Sequence, residues 1–300
     1  MLAIVIPYFK FTFFEATLES LANQTDKRFK VYIGDDASPE DPSDLLVKYR
    51  GKFDFVYHRF ETNLGGTSLT QQWERCIALS GVEEWIMILG DDDVLDETVI
   101  ASWHKNYNTF NGKSNVVRFS TKMINDKLGT VTEIFKHPEW EQAIAFYYRR
   151  FKEQTRSSLS EYVFSKSSYS LFGFHKYPLG WHSDDRAWLE FPNNKPIYSI
   201  NESIVFVRYS SISITGKSNN KELKNKASSL FFKYIIVQKL RLFKKNQRNE
   251  LLLAYETAIK KSRKLTSKEW FFLMYLYLTN FEVIPFAKFL RRFLISILKS

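Results

Sequence analysis

Short apolar runs alternate with stretches of helical spacing through the first third of the chain. Ala3–Pro7 is a continuous apolar run, and Phe14–Asn23 carries Ala16, Leu18, Leu21 and Ala22 at helix-like intervals. Phe29–Ile33 is a second apolar run, ending at Gly34-Asp35-Asp36. Leu45–Tyr49 reads as helix, Phe53–Arg59 as strand, Thr67–Leu79 as helix and Trp85–Leu89 as strand. Strands alternating with helices predict an α/β fold whose mostly parallel sheet is covered on both faces. Ligands of such sheets bind beyond the carboxyl ends of the strands. Two acidic clusters, Asp35-Asp36 and Asp91-Asp92-Asp93, fall at such ends.

Further along, strands are expected near Val116–Ser120, Glu161–Phe164 and Ile204–Arg208, and from Lys217 the pattern turns helical and basic. The polar, Gly-containing stretch Ser210–Asn220 reads as a linker or loop. With 300 residues, 44% hydrophobic, the chain has ample core for one large domain and an appendage. The single cysteine, Cys76, cannot form an internal disulfide, which suits a reducing compartment. The start, MLAIVIPYFK, lacks a basic n-region and reads as a buried strand rather than a signal peptide.

Charge sharpens the division. Residues 1–215 hold 24 basic and 28 acidic side chains, a net of −4, whereas residues 216–300 hold 19 and 5, a net of +14. That excess is either a solvated helical surface or an attraction to an anionic partner.

Three consecutive carboxylates at Asp91–Asp93 repel one another unless a cation sits among them. Hard oxygen ligands at a strand end suit Mg²⁺ or Mn²⁺, which take one or two carboxylates with phosphate oxygens and waters. Alone, the triplet reads equally well as an acidic surface turn. The second cluster at Asp35-Asp36 is what favours a nucleotide-diphosphate site.

Six short segments follow one another: IVIPYF (Ile4–Phe9), LESLANQT (Leu18–Thr25), FKVYIGDDAS (Phe29–Ser38), NLGG (Asn63–Gly66), QQWERCIALS (Gln71–Ser80) and WIMILGDDDVL (Trp85–Leu95). Their order and spacing resemble family 2 glycosyltransferases of the GT-A fold. The resemblance implies a GT-A (Rossmann-like) catalytic domain over 1–215. Its nucleotide-sugar half spans about 1–110 and its acceptor half about 111–215; residues 216–300 form a basic helical extension. It implies nucleotide contacts from Pro7, Tyr8, Asp35, Asp36, Asn63 and Gly65, with Asp36 accepting from the base. Where the family carries Asp-x-Asp, the first position here is Gly90, so Asp91 would contact the ribose or share the metal. Asp92 corresponds to the main ligand of Mn²⁺ or Mg²⁺. Asp93 either supports the loop, contacts the sugar or caps a following helix. Trp73 and Cys76, three apart on one helix face, read as core.

Glycosyl transfer with inversion needs a base for the acceptor hydroxyl. The segment GWHSDDRAWLEF (Gly180–Phe191) resembles the acidic pair that supplies it in this family. Two alignments make the base Asp184 or Asp185, with Asp184 slightly favoured; Ser183 or Asp184 could instead cap a helix. His182 is a lone histidine with a bland role or one in orienting acceptor or phosphate. Trp181 and Tyr209 are sugar-stacking faces or core. Arg208, in VFVRYSSIS, resembles the arginine that closes over the donor diphosphate.

Near the end, Trp270–Leu278 is nine apolar residues, far short of the roughly 20 that cross a bilayer. Phe286, Phe289, Leu290, Phe293, Leu294 and Ile297 form a helical stripe with Lys288, Arg291 and Arg292 off it. This predicts either an amphipathic helix on an anionic membrane through 267–300, or a helix packed on protein. The expectation is an inverting transferase using a UDP-sugar and a glycan or lipid-linked acceptor in bacterial surface polysaccharide synthesis. It would be cytoplasmic or peripheral at the inner face of the membrane, bind no nucleic acid, and be open to oligomerisation. The alternatives are a nucleotidyltransferase of similar fold, or a non-catalytic membrane- or nucleic-acid-binding protein using its basic tail.

Overall fold

The structure, a computed structural model, describes residues 1–210 and 220–298. The expected linker Ser210–Asn220 lies outside the described residues except at its two ends. The chain divides into two compact units, Met1–Ser218 and Asn219–Ser300.

The first unit opens with β1 (Leu2–Tyr8), α1 (Phe14–Ala22), β2 (Phe29–Asp35), α2 (Ser43–Val47), β3 (Asp54–Arg59), α3 (Leu69–Ile77) and β4 (Trp85–Ile88). It continues with β5 (Val94–Leu95), α4 (Val99–Phe110), β6 (Val116–Asn125), β7 (Thr130–Val131), β8 (Trp140–Glu141) and α5 (Ala143–Phe151). It closes with β9 (Tyr162–Ser165), α6 (Lys166–Phe172), α7 (Ser183–Glu190) and β10 (Ile197–Tyr209). The sheet runs β3-β2-β1-β4-β9-β6-β10-β5, with β7 beside β6 and β8 beside β10.

β1 shows why the first apolar run has no alternation. Leu2, Ile4, Ile6 and Tyr8 enter one core layer with Phe14, Leu18 and Trp103, while Ala3 and Val5 enter the other with Trp73, Cys76 and Trp188. Both faces are covered, so both must be apolar. Trp73 and Cys76 are core residues, as their spacing predicts.

The strands β3-β2-β1-β4 are parallel. Beyond them the sheet is mixed, because β9 enters antiparallel between β4 and β6. β6 and β10 are parallel to each other across a register shift between Ile200 and Ile204. The carboxyl ends of β1, β2 and β4 therefore share one edge, where both acidic clusters lie.

The second unit contains α8 (Lys221–Tyr234), α9 (Lys245–Ser262), α10 (Ser267–Thr279) and α11 (Val283–Leu298). The apolar stripe of α11 is partly spent inside this unit. Phe289 is fully buried and stacks on Tyr277 at 4.5 Å, and Phe293 meets Trp270 at 5.4 Å. Arg292 binds both oxygens of buried Glu256, so it belongs to the packed face. Leu294 and Ile297 stay 57% and 55% exposed, and Lys288 and Arg291 are exposed too. Among the described residues no helix is long and apolar enough to cross a membrane.

Candidate active site

Asp35 ends β2 and is fully buried. Its carboxylate accepts from Ser38 N–H at 2.7 Å, from the Tyr57 hydroxyl at 2.6 Å and from Arg59 at 2.7 Å. It thus fastens the β2 turn to β3. Asp36 does the same for the next loop, accepting from Leu64 N–H at 2.7 Å, from Gly65 N–H at 2.9 Å and from Arg75. The Arg75 guanidinium also lies over the Phe60 ring. A Cβ on Gly65 would stand 2.5 Å from Asp36 Oδ2, so close backbone approach requires glycine here. Asn63 closes the same turn by accepting from Gly66 N–H at 2.6 Å.

Pro7 lies half-buried in β1 beside Gly34. The Tyr8 ring is fully buried against Phe14, and its hydroxyl donates to the Glu40 carbonyl at 3.0 Å. The Tyr8 side chain is part of the core layer.

At the end of β4 each carboxylate of the triplet has a different job. Asp91 Oδ2 accepts from Phe9 N–H at 2.8 Å and Lys10 N–H at 2.7 Å, joining the ends of β1 and β4. Burial, with Asp92 adding to it, pushes its pKa up to about 6. Asp92 receives the Lys10 ammonium at 3.2 Å, and the same ammonium lies 3.7 Å from Asp91 Oδ1. Asp93 accepts from Ser160 and, at 2.8 Å, from Arg208 N–H. Burial and Asp92 push its pKa up to about 7. Asp93 is followed by β5, not a helix, so it supports the loop and caps nothing. A Cβ on Gly90 would come within 2.9 Å of Asp93 Oδ2 and 3.0 Å of Asp92 Oδ1. A side chain at this position would have to displace those two carboxylates, which glycine leaves in place.

Arg208, near the end of β10, donates to the Asp92 carbonyl at 2.9 Å and to Asp126 at 2.5 Å, and covers the Phe13 ring. It braces the acidic loop. Arg208 also lines a cleft of about 290 Å³ together with Arg150, Arg156, Trp181, Asp184 and Asp185. Tyr209 and His182 border the same cleft.

The acidic pair opens α7. His182, in the left-handed region at φ 68°, occupies the N-cap. Ser183 donates to the His175 carbonyl at 2.7 Å instead of capping. His182 Nδ1 lies 2.7 Å from Asp185 Oδ2, and Arg150 lies 3.7 Å from Asp185 Oδ1. Burial works against charge on Asp185, but the His182 hydrogen bond and the Arg150 charge overcome it and hold its pKa below the usual carboxylate range. For Asp184, half-buried, burial and the Asp185 charge outweigh the Asp185 N–H and the Arg150 and His182 charges and push its pKa up to about 6.

The structure therefore brings Asp91, Asp92 and Arg208 to one loop, and Asp184, Asp185 and Arg208 to one cleft. Lys10, Arg150, Arg156 and Ser160 complete the arrangement without having been foreseen. Their partners lie in distant parts of the chain, and no local pattern announces them.

The family model of glycosyl transferase family 2 matches residues 3–162, more than half of the chain. Among solved structures, S. aureus TarS 1–349 in complex with UDP-GlcNAc superposes with a TM-score of 0.65 at 14% identity, over 93% of this chain and 80% of that one. The complex of the same fragment with UDP gives 0.62 at 16% identity, with the same coverage. The longer TarS structure gives 0.62 at 14% identity, over 95% of this chain and 50% of that one. No curated protein matches the sequence. At these identities the likeness speaks for the fold, which is GT-A. By its sequence match over residues 3–162, the chain belongs to glycosyl transferase family 2.

Proposed function

We propose that this glycosyltransferase moves a sugar from a nucleotide-diphosphate donor to an acceptor hydroxyl with inversion, with Asp184 as the base. Family membership favours this over the nucleotidyltransferase and non-catalytic readings. One observation carries it. Arg208 joins the acidic loop of Asp91–Asp93 to the cleft that holds Asp184, so donor and base sites are contiguous.

Asp184 takes the acceptor proton as the acceptor oxygen bonds to the anomeric carbon. The bond from that carbon to the diphosphate breaks, and its electron pair leaves on the phosphate oxygen. A carboxylate pushed up to about 6 is mostly ionised at pH 7, yet basic enough to help. Asp185, fixed by His182 and Arg150, holds the adjacent negative charge and the geometry.

A divalent cation fits the donor set. Asp92 offers its carboxylate, and Asp91 offers Oδ1, its Oδ2 being taken by two backbone N–H groups. Mg²⁺ commonly takes one or two carboxylates and completes its shell with phosphate oxygens and waters. Among the described residues no group of three or more His, Cys, Asp or Glu is arranged as a metal cage, so phosphate and water would supply the remaining ligands. Bound there, Mn²⁺ or Mg²⁺ would stabilise negative charge on the departing diphosphate. UDP is the favoured donor nucleotide, since TarS fragments of this fold crystallised with UDP-GlcNAc and UDP. The acceptor is a glycan or lipid-linked saccharide of bacterial surface polysaccharide synthesis.

Turnover of UDP-sugars with Mn²⁺ by wild type, Asp92→Ala and Asp184→Ala tests the assignment. Both variants should lose most activity, and unchanged turnover in both would overturn it.

The exposed Leu294 and Ile297 beside exposed Lys288 and Arg291 favour a second role for 267–300, contact with an anionic membrane. Flotation with anionic liposomes at low salt is the expected result; no flotation there would reject it.

A further inference from the structure

We infer that the Lys10 ammonium is the resident cation of the Asp91–Asp92 pair and exchanges with an incoming divalent metal, moving onto the donor diphosphate. This rests on the donor-site reading above and concerns a residue to which that reading gives no role.

The acidic triplet has to be neutralised in the free protein. Asp93 is handled by Ser160 and a backbone N–H, and Asp91 Oδ2 by two more backbone N–H groups. What remains is Asp92 and Asp91 Oδ1, the same oxygens a metal would use. Lys10 stands 3.2 Å from one and 3.7 Å from the other. Two carboxylates and one ammonium leave a single negative charge, so a divalent cation entering beside Lys10 meets repulsion as well as attraction. Gly90 sharpens the competition, because it withholds the further carboxylate that could outweigh the ammonium.

Lys10 is also built to move. Its backbone is anchored through its own N–H to Asp91, whereas its side chain is 28% exposed on a flexible four-carbon stem. It follows the carboxyl end of β1, where ligands of such sheets lie, and an ammonium is an effective point-charge partner for phosphate.

Mn²⁺ titration followed by electron paramagnetic resonance, without nucleotide, tests the exchange on the full chain. Lys10→Met should bind Mn²⁺ about tenfold more tightly than wild type, and Lys10→Arg should resemble wild type. At saturating Mn²⁺, where the ammonium is displaced, Lys10→Met should bind UDP about tenfold more weakly while its affinity for uridine is unchanged. If melting shows Lys10→Met misfolded, Lys10→Gln replaces it, since an amide can still donate to Asp92 without charge. Equal Mn²⁺ affinity, or equal UDP affinity, in wild type and variant overturns the exchange and leaves the donor site standing. Mn²⁺ affinity indifferent to Asp92→Asn overturns the donor-site reading itself, and the exchange with it.

Discussion

Nδ1 of His182 lies 2.7 Å from Oδ2 of Asp185, and His182 makes this contact from a left-handed backbone at φ 68°. A non-glycine residue rarely adopts that conformation, and its cost is offset here by a charge-assisted hydrogen bond that fixes the first turn of α7. Through it, two adjacent carboxylates of one chemical type acquire opposite behaviour. Asp185 is held ionised, and Asp184 is left basic.

The first consequence concerns rate against pH. Asp184 must be deprotonated to accept a proton, so turnover should fall as pH drops through about 6. Asp184→Asn should lower kcat by about 10² to 10⁴ and remove that limb of the profile. A pH–rate profile of wild type that stays flat from pH 8 to pH 5 would count against this base.

The same shift predicts an effect on stability of unusual sign. A carboxyl raised from 3.8 to about 6 on folding binds its proton more tightly in the native state. Its contribution is fully present below pH 4 and is lost as pH rises through about 6. Asp184→Asn should therefore stabilise the protein at pH 7.5 by ~2 kcal/mol and have little effect near pH 4. Urea unfolding at the two pH values measures both.

Ser160 is predicted to matter beyond its size. Its hydroxyl donates to Asp93 and accepts from Gly90 N–H at 3.0 Å, so Ser160→Ala strips a buried carboxylate and a half-buried N–H at once. A loss of about 2 to 4 kcal/mol is expected, visible as a lower urea midpoint at constant slope.

Gly65→Ala places a methyl 2.5 Å from Asp36 Oδ2. The loop has to leave the carboxylate or the carboxylate has to leave Arg75. Calorimetric titration should show UDP affinity reduced by about tenfold, with ~1 to 3 kcal/mol of stability lost. Retention of wild-type affinity would show that the Asn63–Gly66 loop does not shape the nucleotide site.

The legible parts of this protein were those written in continuous stretches. Ala3–Pro7, Phe29–Ile33 and Trp85–Leu89 declare themselves as strands buried on both faces, and the acidic residues that follow two of them are placed by chain connectivity alone. The length of β10 was hidden, because Tyr198 to Ile200 and Ile204 to Arg208 are separated by a register shift that breaks the alternation. α4 is equally hard to read from sequence, although Val99, Ile100, Trp103 and Phe110 line its buried side. At the site, residue types were legible and their partners were not. Nothing local reveals that Asp36 spends its oxygens on Leu64, Gly65 and Arg75, or that Asp93 meets Ser160. Such pairings are properties of the packed sheet, in which residues 28 to 67 positions apart become neighbours.

The double attachment of Arg208, by its backbone to Asp93 and by its side chain to Asp92 and Asp126, makes the acidic loop, the end of β10 and the β6–β7 turn one mechanical part. A fluorophore placed at Lys127, on the turn and away from the cleft, should then work as a remote gauge of what the carboxylates hold.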